Sequence, residues 1–276
     1  MTLRLFKLTA CAGCCLAFIA ASLMARLICL RASRSARNRV ARRMVQRCSR
    51  ALLAVLKIRV SVCSMGPPPS GGCLLVSNHQ SYLDVLVIAA IFPVQFVAKS
   101  EIANWPVIGW LAALAETIFI DRGSPRRSAR RVGVIADALR QGSWVQVFPE
   151  ATSTDGGTVQ PFKPLLFRAA LQTDVPLLPL TINYLTLNGQ ALDAGRRDAC
   201  CWYGEMDFLP HFWRLLAQRG IEVSVEAQEL LNPLPGESPQ ALAQIAHKRV
   251  RERFIPLPTA DAPASLKGLD SLPATS

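Results

Sequence analysis

Residues 8–30, LTACAGCCLAFIAASLMARLICL, carry a single charge, Arg26, over 23 positions. At a rise of about 1.5 Å per residue, a helix of that length reaches across the hydrocarbon core of a bilayer. This end of the chain therefore has to be satisfied by lipid or by a large apolar surface. The next stretch, RASRSARNRVARRMVQRCSR at 31–50, holds eight arginines and no acid. A secretory leader has a shorter apolar run and a cleavage site opening into ordinary polar sequence. A retained anchor with a basic cytoplasmic flank has the order seen here, under the positive-inside rule, and Arg26 near the end of the run can snorkel. The arginines lack interleaved aromatics and adjoin a lipid-length segment, which points to anionic headgroups and away from nucleic acid. Residues 1–50 are accordingly read as a membrane anchor with its basic flank, and membrane lipids as a partner.

The remainder alternates strand and helix signals. A strand-like piece closes ALLAVLKIRVSVCSM, GPPPSGG at 66–72 is a turn, and CLLVSN is a short buried strand. A helix is expected over 82–91, stopped by Pro93, and VQFVAK returns as a strand. The spacing predicts an apolar helix at 105–115, a strand at TIFIDR, an amphipathic helix closed by Gly142, and a strand at SWVQVFPE. A helix in PFKPLLFRAALQT, strands in VPLLPLTINYLTL and IEVSVEAQEL, and a last helix in SPQALAQIAHKRVRERF complete the pattern. This is an α/β chain, a mixed sheet flanked by helices, with an N-terminal membrane-anchoring helix. Its folded domain is read as 51–255 and the Pro, Ala, Ser and Thr-rich residues 256–276 as a disordered tail. The nine cysteines show no zinc spacing with histidine, so no metal is expected, and reduced thiols suit a cytoplasm-facing protein. No dinucleotide or Walker loop is present.

Three segments carry chemistry. In VSNHQSYLDVLVIAA, residues 76–90, His79 and Asp84 stand five apart where an apolar strand becomes a helix. Mid-helix, that separation leaves them about 140° apart around the axis. They meet if His79 lies on the turn and Asp84 in the first helical turn, where a carboxylate on one ring nitrogen leaves the other free to take a proton. The plainer reading is a helix start, capped by Ser77 or Asn78, with Asp84 near its positive end. In VFPEATSTDGG, Pro149 and Glu150 end a strand and present a carboxylate at a sheet edge before a small, polar loop. In FIDR, Arg122 offers a fork for phosphate oxygens, or an ordinary surface ion pair.

Together these segments resemble the glycerolipid acyltransferases, specifically the 1-acylglycerol-3-phosphate acyltransferase group. NHQSYLD matches the His-x4-Asp block, FIDR the second block, FPEATST the Phe-Pro-Glu-Gly-Thr block and VPLLP the fourth, in order between about 73 and 185. The resemblance implies that His79 is the general base and Asp84 orients it. It implies that Arg122 holds the acceptor phosphate, with Lys99 a second contact, and that Glu150, Ala151 and Thr152 position the acceptor's glycerol. Ser81 is structural, because the family transfers acyl groups directly. It implies an acyl carrier protein or coenzyme A thioester as donor, no cofactor, and a bacterial inner-membrane location with the site facing the cytoplasm.

Two positions depart from the pattern. The glycine after the glutamate is Ala151, which disfavours a left-handed backbone, and the block's arginine is Ser153, for which Lys163 is a candidate replacement. An apolar wall at Trp105, Trp110 and Leu111 suits an acyl chain or ordinary core. CCWYGEMDFLPHFWRLL, 200–216, reads as a membrane-interface element or as core, with no catalytic role for His211, while His247 is expected to be solvated. The 200–216 stretch resembles a bacterial subgroup that includes lyso-ornithine lipid acyltransferases. The expected reaction is acylation of lysophosphatidate to phosphatidate. Lyso-ornithine lipid is the alternative acceptor, and lipid or thioester hydrolysis a more distant alternative.

Overall fold

The computed structural model describes residues 1–257 apart from 30, 32, 65, 68 and 121–124. The elements in chain order are α1 Thr2–Ile28, α2 Arg34–Leu56, β1 Ile58–Ser64, β2 Cys73–Ser77, α3 Leu83–Ile91, β3 Gln95–Lys99, α4 Ile108–Leu114 and β4 Ile118–Ile120. They continue with α5 Pro125–Arg140, β5 Trp144–Val147, α6 Arg168–Leu171, β6 Leu177–Leu187, β7 Gln190–Ala191, α7 Phe208–Leu215, β8 Ile221–Ala227 and α8 Pro239–Arg253.

The sheet order is β1-β8-β6-β2-β5-β3-β4, with β7 beside β6. Strands β6, β2, β5, β3 and β4 run parallel, while β8 is antiparallel to β6 and parallel to β1. The sheet is therefore mixed, as the alternation implied. A parallel centre must be covered on both faces, and β2 meets that demand with Cys73, Leu74, Leu75 and Val76, all fully buried. Successive side chains alternate faces. Leu75 joins a core containing Leu53, Leu83, Val87 and Leu215 of α2, α3 and α7. Leu74 and Val76 join the opposite core with Ile135 of α5, Ala169 of α6 and Ala246 of α8.

Several boundaries move. The arginine run is not a separate flank: α2 carries it straight through position 50 into Leu56, so anchor and domain share one helix. Pro164 starts a 3-10 turn at Pro164–Phe167, and only four residues of α6 follow, instead of one helix across 161–173. The apolar 105–115 stretch is helical only from Ile108. At the carboxyl end, Leu257 lies beyond the expected boundary of 255. It is buried, and its N–H donates to the Gly156 carbonyl at 2.9 Å. The remaining tail, 258–276, lies outside the described residues.

Helix α1 is long and apolar enough to cross a membrane, and most of its surface is open. It is nevertheless tied to the domain at both ends. Lys7, just ahead of the uncharged run, is fully buried, and its Nζ donates to the carbonyls of Leu56 at 2.9 Å and Gln218 at 2.7 Å. Arg4 lies over the Trp213 ring, 5.4 Å from its centroid. At the other end Arg26 pairs with Glu116 at 3.0 Å and donates to the Ala113 carbonyl. A buried ammonium with two carbonyl partners is a strong local tie, because hydrogen bonds to charged groups contribute about 1.5–3 kcal/mol each. Lys7→Met should lower the unfolding free energy by about 2 kcal/mol and speed proteolysis at the 29–33 connection. A variant that melts with the parent and is cut no faster would show that the tie is dispensable.

Candidate active site

The carboxyl ends of β2 and β5 lie side by side, and the two segments leaving them build the site. After β2 the chain turns through Asn78, His79, Gln80 and Ser81 before α3 begins. Helix α3 has no side-chain N-cap; Asp84, in its first turn, does the corresponding work. Asp84 Oδ2 accepts the N–H groups of Gln80 at 2.7 Å and Ser81 at 2.9 Å, and meets His79 Nδ1 at 2.8 Å. Its Oδ1 accepts the Tyr184 hydroxyl at 2.7 Å. The two side chains five positions apart therefore meet as the turn geometry required. With Nδ1–H held by the carboxylate, Nε2 keeps its lone pair, and among the described residues it has no protein partner. The Asp84 side chain is 0% exposed and that of His79 is 19% exposed, so only the imidazole reaches outward. The ring lies flat on Phe148, centroids 4.0 Å apart and planes 17° apart.

Asn78, one of the two expected caps, spans to β6 instead: its amide donates to the Ile182 carbonyl at 2.9 Å and its oxygen accepts the Ile182 N–H at 2.8 Å. Ser77 accepts from Gln146. Ser81 is fully buried, its hydroxyl without a partner, so it is not presented as a nucleophile.

Glu150 differs from its expected place at a sheet edge beside a substrate. Strand β5 is interior to the sheet, and Glu150 is 3% exposed. Its Oε1 accepts the His79 N–H and its Oε2 the Gln160 N–H, both at 2.6 Å. It thus fixes the backbone that carries the imidazole. The return contact is Thr154, whose N–H and hydroxyl both donate to the His79 carbonyl, at 2.9 and 3.2 Å. The amides of 79, 80 and 81 are all spent on carboxylates, so none of the three is open to a developing oxyanion. Among the described residues, the amides of Thr152 and Ser153 carry no such bond.

Ala151 adopts φ 65°, the left-handed backbone that its side chain disfavours. The bonds of Glu150 and Thr154 on either side hold it there. Lys99 ends β3 exposed on the same rim, and Lys163 is exposed with its N–H on the Pro149 carbonyl at 3.0 Å. Asp121 and Arg122 lie outside the described residues.

A third wall comes from 197–212. Arg197 pairs with Asp155 at 2.7 Å and lies over Tyr203, while the Trp202 N–H donates to the Gln80 carbonyl at 2.8 Å. Tyr82, Trp105, Trp202 and Phe208 meet edge-on or tilted. His211 is fully buried between the Tyr82 hydroxyl and the Cys201 carbonyl, each at 3.0 Å, and burial lowers its pKa. Stretch 200–216 has a buried and an exposed side. Cys200, Cys201 and Leu215 are core, while Leu209 is 75% exposed. Trp110, read as part of an acyl wall, is 73% exposed. His247 is packed, not solvated: Nε2 lies 3.2 Å from the Val159 carbonyl and the ring stands edge-on to Phe162.

An imidazole with one nitrogen fixed by a buried carboxylate and the other open is arranged to take a proton from a bound hydroxyl or water. The comparisons with known proteins supply the chemistry. The family model described as Acyltransferase matches residues 58–183. The lyso-ornithine lipid O-acyltransferase of Brucella abortus is 35% identical over 189 residues, 65% of this chain and 71% of that protein. The enzyme of the same description from Pseudomonas aeruginosa is 36% identical over 208 residues, 72% and 74% of the two chains. The 1-acyl-sn-glycerol-3-phosphate acyltransferase of Neisseria meningitidis is 29% identical over 209 residues, 76% and 80% of the two. The crystal structure of the 1-acyl-sn-glycerophosphate (LPA) acyltransferase PlsC from Thermotoga maritima shares the fold, with a TM-score of 0.66 at 20% identity over 91% and 92% of the chains. The chain belongs to the acyltransferase family.

Two outcomes are expected here. Burial raises the Glu150 carboxyl to about 7, against the opposing pull of its two amide bonds, with Asp84 nearby adding to the rise. Because the folded value lies above the ordinary 4.5, the native chain binds this proton more tightly than the unfolded one. The associated stability is full below about 4.5 and is lost as pH rises toward 7. Denaturant titrations across that window should show the decline in the parent and lose it in Glu150→Gln. Separately, Ala151→Gly should raise stability by about 1 kcal/mol by relieving the left-handed strain, read as a higher denaturation midpoint.

Proposed function

We propose that the protein transfers a fatty acyl group from a thioester to the free hydroxyl of a lysolipid, with lysophosphatidate as acceptor and phosphatidate as product. The observation that carries this is the His79–Asp84 pair with its open Nε2. That nitrogen takes the proton from the acceptor hydroxyl as the oxygen attacks the thioester carbonyl. The tetrahedral intermediate collapses with loss of the thiol, which leaves with the proton from His79. Asp84 holds the ring in the required tautomer throughout. The amides of Thr152 and Ser153 are the donors for negative charge on the carbonyl oxygen. Lys99 and Lys163, exposed on the rim, serve the acceptor's phosphate, and Arg122 is assigned to the same group. The donor is an acyl carrier protein or coenzyme A thioester.

A second acceptor, lyso-ornithine lipid, is favoured by a specific observation. Three relatives carrying that description are 35% or 36% identical and a fourth 31%, against 29% and 31% for lysophosphatidate enzymes of Neisseria meningitidis and Pseudomonas aeruginosa. Ser153, where the family pattern has arginine, points the same way, since it removes a cation from the phosphate side.

The reading places the enzyme on the cytoplasmic face of a bacterial inner membrane. Its support is an α1 surface with exposed Leu16, Leu23, Met24 and Leu27 beside an α2 surface with exposed Arg39, Arg43 and Arg47. That pairing suits an apolar leaflet and anionic headgroups.

Isolated membranes given labelled acyl thioester and either lysolipid test the chemistry. His79→Ala should lower turnover by ~10²–10⁴-fold. Tyr184→Phe, which removes one of four bonds to Asp84, should lower it roughly tenfold with KM little changed. Acylation of lyso-ornithine lipid alone would move the acceptor. Label appearing only as free fatty acid would mean hydrolysis, and acylation indifferent to His79 would end the mechanism.

A further inference from the structure

A second cleft lies at the opposite pole of the molecule. It occupies about 390 Å³ between the last turns of α1, the first turns of α2 and the end of α4. Its position follows from the sheet. Gln95 opens β3 at the amino ends of the parallel strands and donates to the Glu116 carbonyl at 2.6 Å, and Glu116 lines the cleft. His79 follows the carboxyl end of β2, which runs parallel to β5 and β3. The cleft and the imidazole are therefore separated by the height of the sheet.

The lining combines apolar walls, a hydroxyl, two guanidinium groups and a carboxylate. Ala25, Ala41, Met44 and Leu114 give apolar walls, two of them short enough to leave a slot. Ser22 is 5% exposed, and its hydroxyl has no partner. Arg26 and Arg37 contribute guanidinium groups, both engaged within the protein, and Glu116, paired with Arg26, contributes a carboxylate. The volume falls within the roughly 300–1,000 Å³ of small-molecule sites. On the same turns of α1, Leu23 and Leu27 are exposed, so the apolar walls run on into a surface suited to lipid. The adjoining α2 holds seven of the eight arginines of the 31–50 run and no acid. A slot for hydrocarbon, a buried hydroxyl without a partner, and cations at the mouth match an ester-linked acyl chain carried on a phosphate. Basic pockets between membrane-facing helices bind such headgroups.

We propose that the cleft between α1, α2 and α4 is a binding site for one anionic glycerophospholipid, separate from the acyl-transfer site. One acyl chain lies between Ala25, Ala41 and Leu114, an ester carbonyl accepts from the Ser22 hydroxyl, and the phosphate lies against Arg26 and Arg37. The bound lipid fastens the α1–α2 pair to α4, so occupancy stabilises the folded chain. This does not depend on which acceptor the enzyme uses.

The test uses the full chain purified in mild detergent. Lipid is extracted from the gel-filtered protein and quantified by class, for the parent and for Ala41→Trp, whose indole fills the slot. The parent should retain about one anionic phospholipid per chain, and the variant should lose it roughly tenfold. Loosely associated boundary lipid, or lipid held only at the transfer site, would survive Ala41→Trp unchanged and overturn the proposal. So would a parent that retains no anionic phospholipid. Should Ala41→Trp not fold, delipidated parent and Arg37→Gln are melted with added phosphatidylglycerol or phosphatidylcholine. A rise with phosphatidylglycerol alone, needing roughly fivefold more lipid in Arg37→Gln, supports the site. Equal rises with the two lipids, or none, reject it.

Discussion

A carboxylate fully enclosed in protein is tolerated only when its oxygens are supplied with donors. Asp84 is enclosed completely, and its four donors come from two places. Three belong to the turn just before it, the amides of Gln80 and Ser81 and the ring of His79. The fourth, Tyr184, arrives from β6, one hundred positions later. The carboxylate thus dictates the shape of the turn and requires β6 to sit beside β2 in one register. The pair of hydrogen bonds between the Asn78 side chain and the Ile182 backbone holds the same register. Satisfying one buried charge and aiming one imidazole are here a single structural problem. The core packing of Leu74, Leu75 and Val76 supplies the rigid strand from which the turn departs.

The local part of this arrangement was legible in the chain. The apolar run ending at Asn78, the five-residue spacing and the helical pattern after Tyr82 place His79 and Asp84 within reach of each other. The alternation of strands and helices gave the mixed sheet. Tyr184 was not legible as a site residue, and Phe148 and Thr154, though inside the FPEATST block, had no role assigned to them. Each acquires its contact with His79 or Asp84 only when distant segments are brought together. Lys7 was missed for a related reason. In sequence it borders the uncharged run as one more flanking cation, whereas its ammonium lies between two backbone carbonyls.

Local propensity also lost where several tertiary bonds opposed it. Ala151 argued against a left-handed turn, but neighbouring Glu150 and Thr154 clamp the loop to the backbone of His79, and one residue's strain of about 1–2 kcal/mol is less than those bonds supply. Glu150 itself looked like a group offered to a ligand because it ends a strand. Its burial and its two amide partners make it a brace. Residues 161–173 looked like one helix, but Pro164 opens a tighter 3-10 turn and the α-helix that follows ends at Leu171.

The two-ended attachment of α1 has a mechanical side. A free apolar helix adapts to bilayers of different thickness by tilting. One held by Lys7 at one end and Arg26 at the other has no independent tilt to use. In a bilayer, lateral pressure on a helix fastened in this way would reach the sheet as a torque on the whole molecule. The attitude of the proposed site toward the headgroup plane would then vary with the bilayer, while its internal geometry stayed constant.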